Sequence, residues 1–134
     1  MTDVYTETSY RTCVAPGQRT VVNAVIANAG DYLVPIPFRG RLVHFQTSTV
    51  VAYGAGGDLT LNLEKDAAGG TVLGAATIAT ASSAIGIEDI GVLTGGLTDE
   101  DLTIDNQDIC LAVTGSSSTG MANVFMVFEH AYVQ

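Results

Sequence analysis

DLTLNLEKDAAGGTVLGAATIAT, residues 58–80, decides the fold class. Leu59, Leu61 and Leu63 alternate with Thr60, Asn62 and Glu64, the two-residue period of a strand with one dry and one wet face. Ala67 to Gly70 then supply small residues for a turn, and the run from Thr71 returns with its own apolar alternation. The segment therefore predicts a β-hairpin, with Gly69 and Gly70 available for positive φ in the turn.

The same period extends outward in both directions. Candidate strands are TVVNAVIAN (20–28), YLVPIPF (32–38), RLVHFQTSTVVAY (41–53), GIEDIGVLT (86–94), DLTI (101–104), DICLAVTG (108–115) and GMANVFMVFEHAYV (120–133). Helical periodicity is scarce, and Gly-, Ser- and Asp-rich connections separate the runs. The expected fold is all-β: a single-domain antiparallel β-sandwich, jelly-roll-like, of about eight strands. Residues 20–134 form the sandwich, and residues 1–19 are either an N-terminal arm or a short first strand. Connections such as VVAYGAGGD, LTGGLTDED and TGSSSTG are expected to gather at the ends of the sandwich.

Composition agrees with that reading. Of 134 residues, 47% are apolar and 14% charged, with 15 Gly against 3 Pro, which suits one packed domain rather than disorder. A net charge of −9 repels phosphate backbones and acidic lipid, so neither nucleic acid nor membrane is an expected partner. No apolar run reaches the ~20 residues of a membrane helix, and the first ten residues lack the pattern of an export signal. Synthesis in a cytoplasm is expected. Cys13 and Cys110 are read as two free thiols, with a single bridge as the alternative.

Two prolines interrupt YLVPIPF. Residues two apart direct their backbone groups toward the same neighbour, so Pro35 and Pro37 strip two donors from one side of the strand. An edge strand is expected, with Tyr32, Val34, Ile36 and Phe38 inward and the proline side resisting strand addition. Arg39 and Arg41 follow on the same parity and read first as solvated strand ends, with pairing to an acidic partner surface or to this chain's own carboxylates as the alternatives. The last strand is apolar on both faces: Phe125 and Val127 on one, Val124, Met126, Phe128 and Tyr132 on the other. One face is expected in the core and the other in a subunit contact, with burial of both faces within the chain as the alternative. Pro35, Pro37, Arg39, Arg41, Val124, Met126, Phe128 and Tyr132 are thus the interface candidates.

Signatures of chemistry are weak. His44 and His130 lie in strands without ligand-like spacing and read as structural. GSSSTG (115–120) lacks the arrangement of a nucleophile elbow, and GAGGD (54–58) lacks the lysine of a phosphate loop. Asp99, Glu100, Asp101, Asp105 and Asp108 carry oxygens suited to Ca²⁺ but not the spacing of an EF-hand, and solvated loop acids are the plainer reading. No catalytic residue and no cofactor is assigned, and the chain is not expected to be an enzyme.

The pattern YLVPIPFRGRLVHFQTSTVV…GDLTLNLEKD…GGTVLGAATIA, closed by DNQDICLAVTGSSSTGMANVFMVF, resembles the small β-sandwich, jelly-roll-like structural proteins of tailed-bacteriophage virions, the capsid decoration or cement proteins above all. The resemblance runs from about residue 20 to the end of the last strand. It implies a subunit without an active site, commonly a homotrimer, seated on the outside of the head and clamping the major capsid protein. It also implies location on the virion surface. Two alternatives stand beside it: a fibre or tail-associated virion protein, and a small ligand- or carbohydrate-binding sandwich. The last is disfavoured by the absence of Trp and by the scatter of Tyr5, Tyr10, Tyr32, Tyr53 and Tyr132.

Overall fold

The computed structural model describes residues 17–54, 56–80, 83–116 and 119–130. Eight strands and one short helix follow in order: β1 Arg19–Ile26, β2 Gly30–Val51, β3 Leu59–Lys65, β4 Val72–Ile78, β5 Glu88–Ile90, β6 Val92–Leu93, α1 Asp99–Leu102, β7 Thr103–Thr114 and β8 Met121–His130. The chain is all-β and forms one domain. Its strands join in a single antiparallel sheet, ordered β1-β8-β2-β7-β3-β4-β6, with β5 paired to β2. Because a single residue, Gly91, separates β5 from β6, the far end of the sheet returns to β2 and curls it into a sandwich-like half-barrel. No helix among the described residues is long and apolar enough to cross a membrane.

The β3–β4 hairpin forms as its alternation predicts. Leu59, Leu61 and Leu63 are wholly buried, each such side chain contributing about 1.5–3 kcal/mol by leaving water. In the turn, Gly69 takes φ +84°, while the other positive φ belongs to Asp66 at 75°. Gly70 serves differently: a Cβ there would lie 2.1 Å from the carbonyl oxygen of Lys65.

The second organising element is β2, where sequence and structure differ. The two expected strands 32–38 and 41–53 are one strand of 22 residues. Residues from Gly30 to Arg41 pair with β7, residues from Gly40 to Val51 pair with β8, and Gln46–Ser48 also pair with β5. The strand stays continuous through three irregularities, the last between Thr49 and Val51, and the first two re-aim it. One lies between Ile36 and Arg39 opposite β7, the other between Leu42 and His44 opposite β8. The second reverses the inward parity, from Ile36 and Leu42 to Phe45, Thr47 and Thr49, all buried. One strand can therefore line the core along most of its length while its pairing passes from β7 to β8.

Gly91 divides the expected strand 86–94 into β5 and β6. Its N–H donates to the Phe45 carbonyl (2.8 Å), and a Cβ on it would lie 2.3 Å from the Phe45 ring. Only glycine lets the chain pass that ring. The expected strand 101–104 begins instead as α1, capped by Thr98, whose hydroxyl accepts from Asp101 N–H while the Asp101 carboxylate accepts from Thr98 N–H. The strand then runs unbroken through β7, so 101–104 and 108–115 are not separate strands.

In β8, Val124, Met126 and Phe128 have no exposed surface, whereas Phe125 and Val127 on the opposite face are half-buried. This corrects the expectation that Val124, Met126 and Phe128 form a subunit contact. β8 lies between β1 and β2, and their face is the core itself.

Candidate functional site

The remaining interface candidates meet at one end of the sheet. Pro35 and Pro37 are exposed, and with Ile36, Asn106, Gln107 and Asp108 they line a shallow depression of ≈ 280 Å³. It sits over the β2–β7 irregularity, where Asn106 adopts φ 51°. β2 pairs with β7 over 30–36, and β8 pairing begins only at Gly40, so the stretch from 30 to 38 has one strand neighbour among the described residues. A ladder with β7 that includes Pro35 must draw its N–H donors from Tyr32, Val34 and Ile36, which leaves the prolines facing the open side. Tyr132 lies outside the described residues.

Arg39 and Arg41 are engaged within the chain. Arg39 Nη1 donates to Asp105 Oδ2 (3.3 Å) and Nη2 lies 3.9 Å from Glu100. Arg41 Nη1 donates to Asp99 Oδ1 (3.0 Å) and Nη2 to Glu129 Oε1 (3.1 Å), and Glu129 is also 3.7 Å from Arg19. The bond to Asp99 raises the Arg41 pKa above its ordinary value. This corrects the expectation of solvated strand ends: both arginines pair with this chain's own carboxylates. These half-exposed pairs join the start of α1 to the sheet, each worth well under about 1 kcal/mol in water.

The acidic run is distributed by that network. Asp99, Glu100 and Asp105 face arginines, and Asp101 caps its own helix, its carboxyl held below the usual range by the Thr98 N–H. Lys65 Nζ donates to the carbonyls of Glu100 and Asp101 at 3.1 and 3.2 Å. Among the described residues, no group of three His, Cys, Asp or Glu side chains is disposed to hold a metal ion.

At the opposite end, the glycine- and serine-rich connections are stitched together. Gly54 N–H donates to Thr119 Oγ1 (3.1 Å) and Gly57 N–H to Ser116 Oγ (2.7 Å). Tyr53 is buried there, its hydroxyl donating to the Ala27 carbonyl (3.0 Å), and burial pushes its pKa up to about 12. These serines and glycines close loops.

The histidines are likewise held by structural partners: His44 Nε2 and Gln46 Oε1 are 2.9 Å apart, and His130 is hydrogen-bonded to the Thr20 hydroxyl and packed 4.8 Å from the Phe38 ring. Cys110 is buried as a free thiol, its pKa raised first by burial and then by Asp31 and Glu64. Cys13 lies outside the described residues.

One residue escaped the sequence reading. Asp89 is paired across the sheet with Thr47, so both side chains point to the inner face. Asp89 Oδ2 and Thr47 Oγ1 are both buried without a hydrogen-bond partner. Burial raises the Asp89 pKa. Its ionised form therefore weakens the fold, and that cost sets in as pH rises from the carboxyl's unfolded value toward the raised folded value, then stays constant above it. Asp89→Asn is expected to raise the thermal midpoint by a few degrees at pH 7. The gain should shrink toward zero near pH 3. Midpoints compared across that range check it, and a pH-independent difference would show that charge is not the cause.

Exposed apolar side chains are spread over the sheet: Leu33, Val50 and Val51 lie on β2, and Met121 on β8 opposite Val51. Val21 (60% exposed) and Val25 (48%) lie on β1, and Ile85, Ile87, Ile90 and Val92 lie on and around β5 and β6.

No family model matches the chain, and no curated protein matches it. A solved structure from Bacillus endospore appendages, a family of disulfide-linked pili, is similar at 18% identity. The match covers 89% of this chain and 96% of that one, with a TM-score of 0.35, a likeness too loose to carry an argument about fold or function.

Proposed function

We propose that this chain is a structural subunit, held in a multi-copy assembly by its sheet edges and exposed apolar surface, and that it transforms no substrate. The observation that carries this reading is the contrast between two of its open edges. The 30–38 stretch of β2 presents Pro35 and Pro37, which obstruct strand addition. The outer edge of β1, unpaired among the described residues, has no proline and a single charge, Arg19. A domain that guards one edge and leaves another receptive is suited to a directed contact.

The specific form we put forward is a head decoration subunit, a trimer bound to the major capsid protein on the outside of a phage shell. This rests on the sequence resemblance. A fibre subunit is the second reading, favoured by the receptive β1 edge, since strand pairing can link copies in series. Mapping the chain on purified particles separates the two. Density on the outer head surface supports decoration, density along a fibre supports the second reading, and absence from particles overturns both.

The guard itself can be removed. Pro35→Thr with Pro37→Thr restores two backbone donors to the open side of β2, and self-association measured by light scattering is expected to rise with concentration. Unchanged scattering would mean that this edge is already covered.

A further inference from the structure

The partner of the β1 edge can be narrowed from the backbone geometry. His130 N–H donates to the Gln18 carbonyl (2.8 Å), which places Gln18 in a hydrogen-bonded position opposite β8. By alternation, Thr20, Val22, Ala24 and Ile26 also direct their backbone groups at β8, and Arg19, Val21, Asn23 and Val25 direct theirs outward. The side chains of those four outward residues are exposed.

We propose that this edge pairs antiparallel with β1 of a second copy, about a two-fold axis through Asn23. In that register Val21 of each chain opposes Val25 of the other, and Asn23 opposes Asn23. On the opposite face Val22 meets Ala24 and Thr20 meets Ile26. Every outward backbone group from Val21 to Val25 then gains a partner. The two most exposed apolar side chains of the strand cover each other, and the two Asn amides can exchange hydrogen bonds. No like charges meet, because Arg19 falls opposite position 27, beyond the end of the strand.

Adding β1 to the 30–38 edge of a second copy meets Pro35 and Pro37, and the far end of the sheet is β6, two residues long against the eight of β1, so the self-complementary pairing is the one these edges favour. The contact is two-fold and adds to whatever surface closes a trimer. It deepens the structural-subunit reading and rests on it for its biological sense.

The test uses the full chain at tens of micromolar. Light scattering is expected to give an even multiple of the 13.8 kDa chain mass. Val21→Pro removes one outward N–H and leaves the β8 ladder intact, so it should halve that mass with an unchanged far-UV spectrum. Val21→Lys with Val25→Lys should do the same and covers the case in which the proline variant fails to fold. In a Cys13→Ser background, Asn23→Cys should form a covalent dimer under mild oxidation, whereas Ser116→Cys should not.

A single-chain or odd-multiple mass, a mass that survives both edge variants, or no cross-link at position 23 overturns the proposal, whatever else covers the edge. A chain that is monomeric in solution yet found on particles sinks this pairing and leaves the structural-subunit reading standing. A two-fold pair absent from particles does the reverse.

Discussion

Phe128→Asp is expected to unfold the chain rather than to dissociate an assembly of folded subunits. Phe128 has no exposed surface, stands between Thr20 of β1 and Leu42 of β2, and packs edge-on against the Phe38 ring at 5.5 Å. Gly40 lets the strands close around it, since a Cβ there would lie 3.2 Å from the Phe128 Cβ. Removing the ring alone costs about 3–5 kcal/mol, and an unpaired carboxyl in its place adds several more. A domain of this kind is stable by about 5–15 kcal/mol in total. Loss of the far-UV β spectrum at room temperature is the expected readout. If the Phe128→Asp variant is instead a folded monomer, β8 is restored as a contact surface.

Phe45→Ala is the second large effect. The ring is wholly buried and closes the curl: Gly91 passes over it, and a Cβ on Gly74 would approach it to 2.6 Å. Its loss leaves a void bounded by backbone that cannot easily collapse, so the cost is expected toward the upper part of about 3–5 kcal/mol. That corresponds to a fall in thermal midpoint of about 10 °C or more. The complementary change, Gly91→Val, drives a side chain into the same ring and is expected to release β5 and β6 from the sheet, read as faster amide exchange at Thr49 and at position 91 than in the parent. These amides are bonded to Ile87 and Phe45 (2.9 and 2.8 Å). A midpoint within about 2 °C of the parent for Phe45→Ala would mean that the core closes around a different residue.

The interaction surface follows from what this core leaves outside. Val124, Met126 and Phe128 are taken up by the interior, and Arg39 and Arg41 are engaged with Asp99, Glu100, Asp105 and Glu129. Backbone groups at the sheet edges and a few valines and isoleucines remain for a partner. A surface of this composition suits burial against another protein.

Much of the architecture was legible in the residues. The all-β class, the Leu59–Leu63 hairpin and the one-sided pairing of the proline stretch all depend on two-residue alternation or on a missing N–H, properties that each segment carries by itself. The helix at Asp99–Leu102 was also within reach, since Thr98 and Asp101 stand at capping-box spacing. Other features depend on segments far apart in the chain. Whether 32–38 and 41–53 are two strands or one turns on the irregularity between Leu42 and His44, which needs β8 opposite. Which apolar face of β8 is core turns on β1 and β2 flanking it, and Asp89 faces inward only because β5 pairs with Thr47. Periodicity states that a residue has two faces, and the neighbours across the sheet settle which of them meets water.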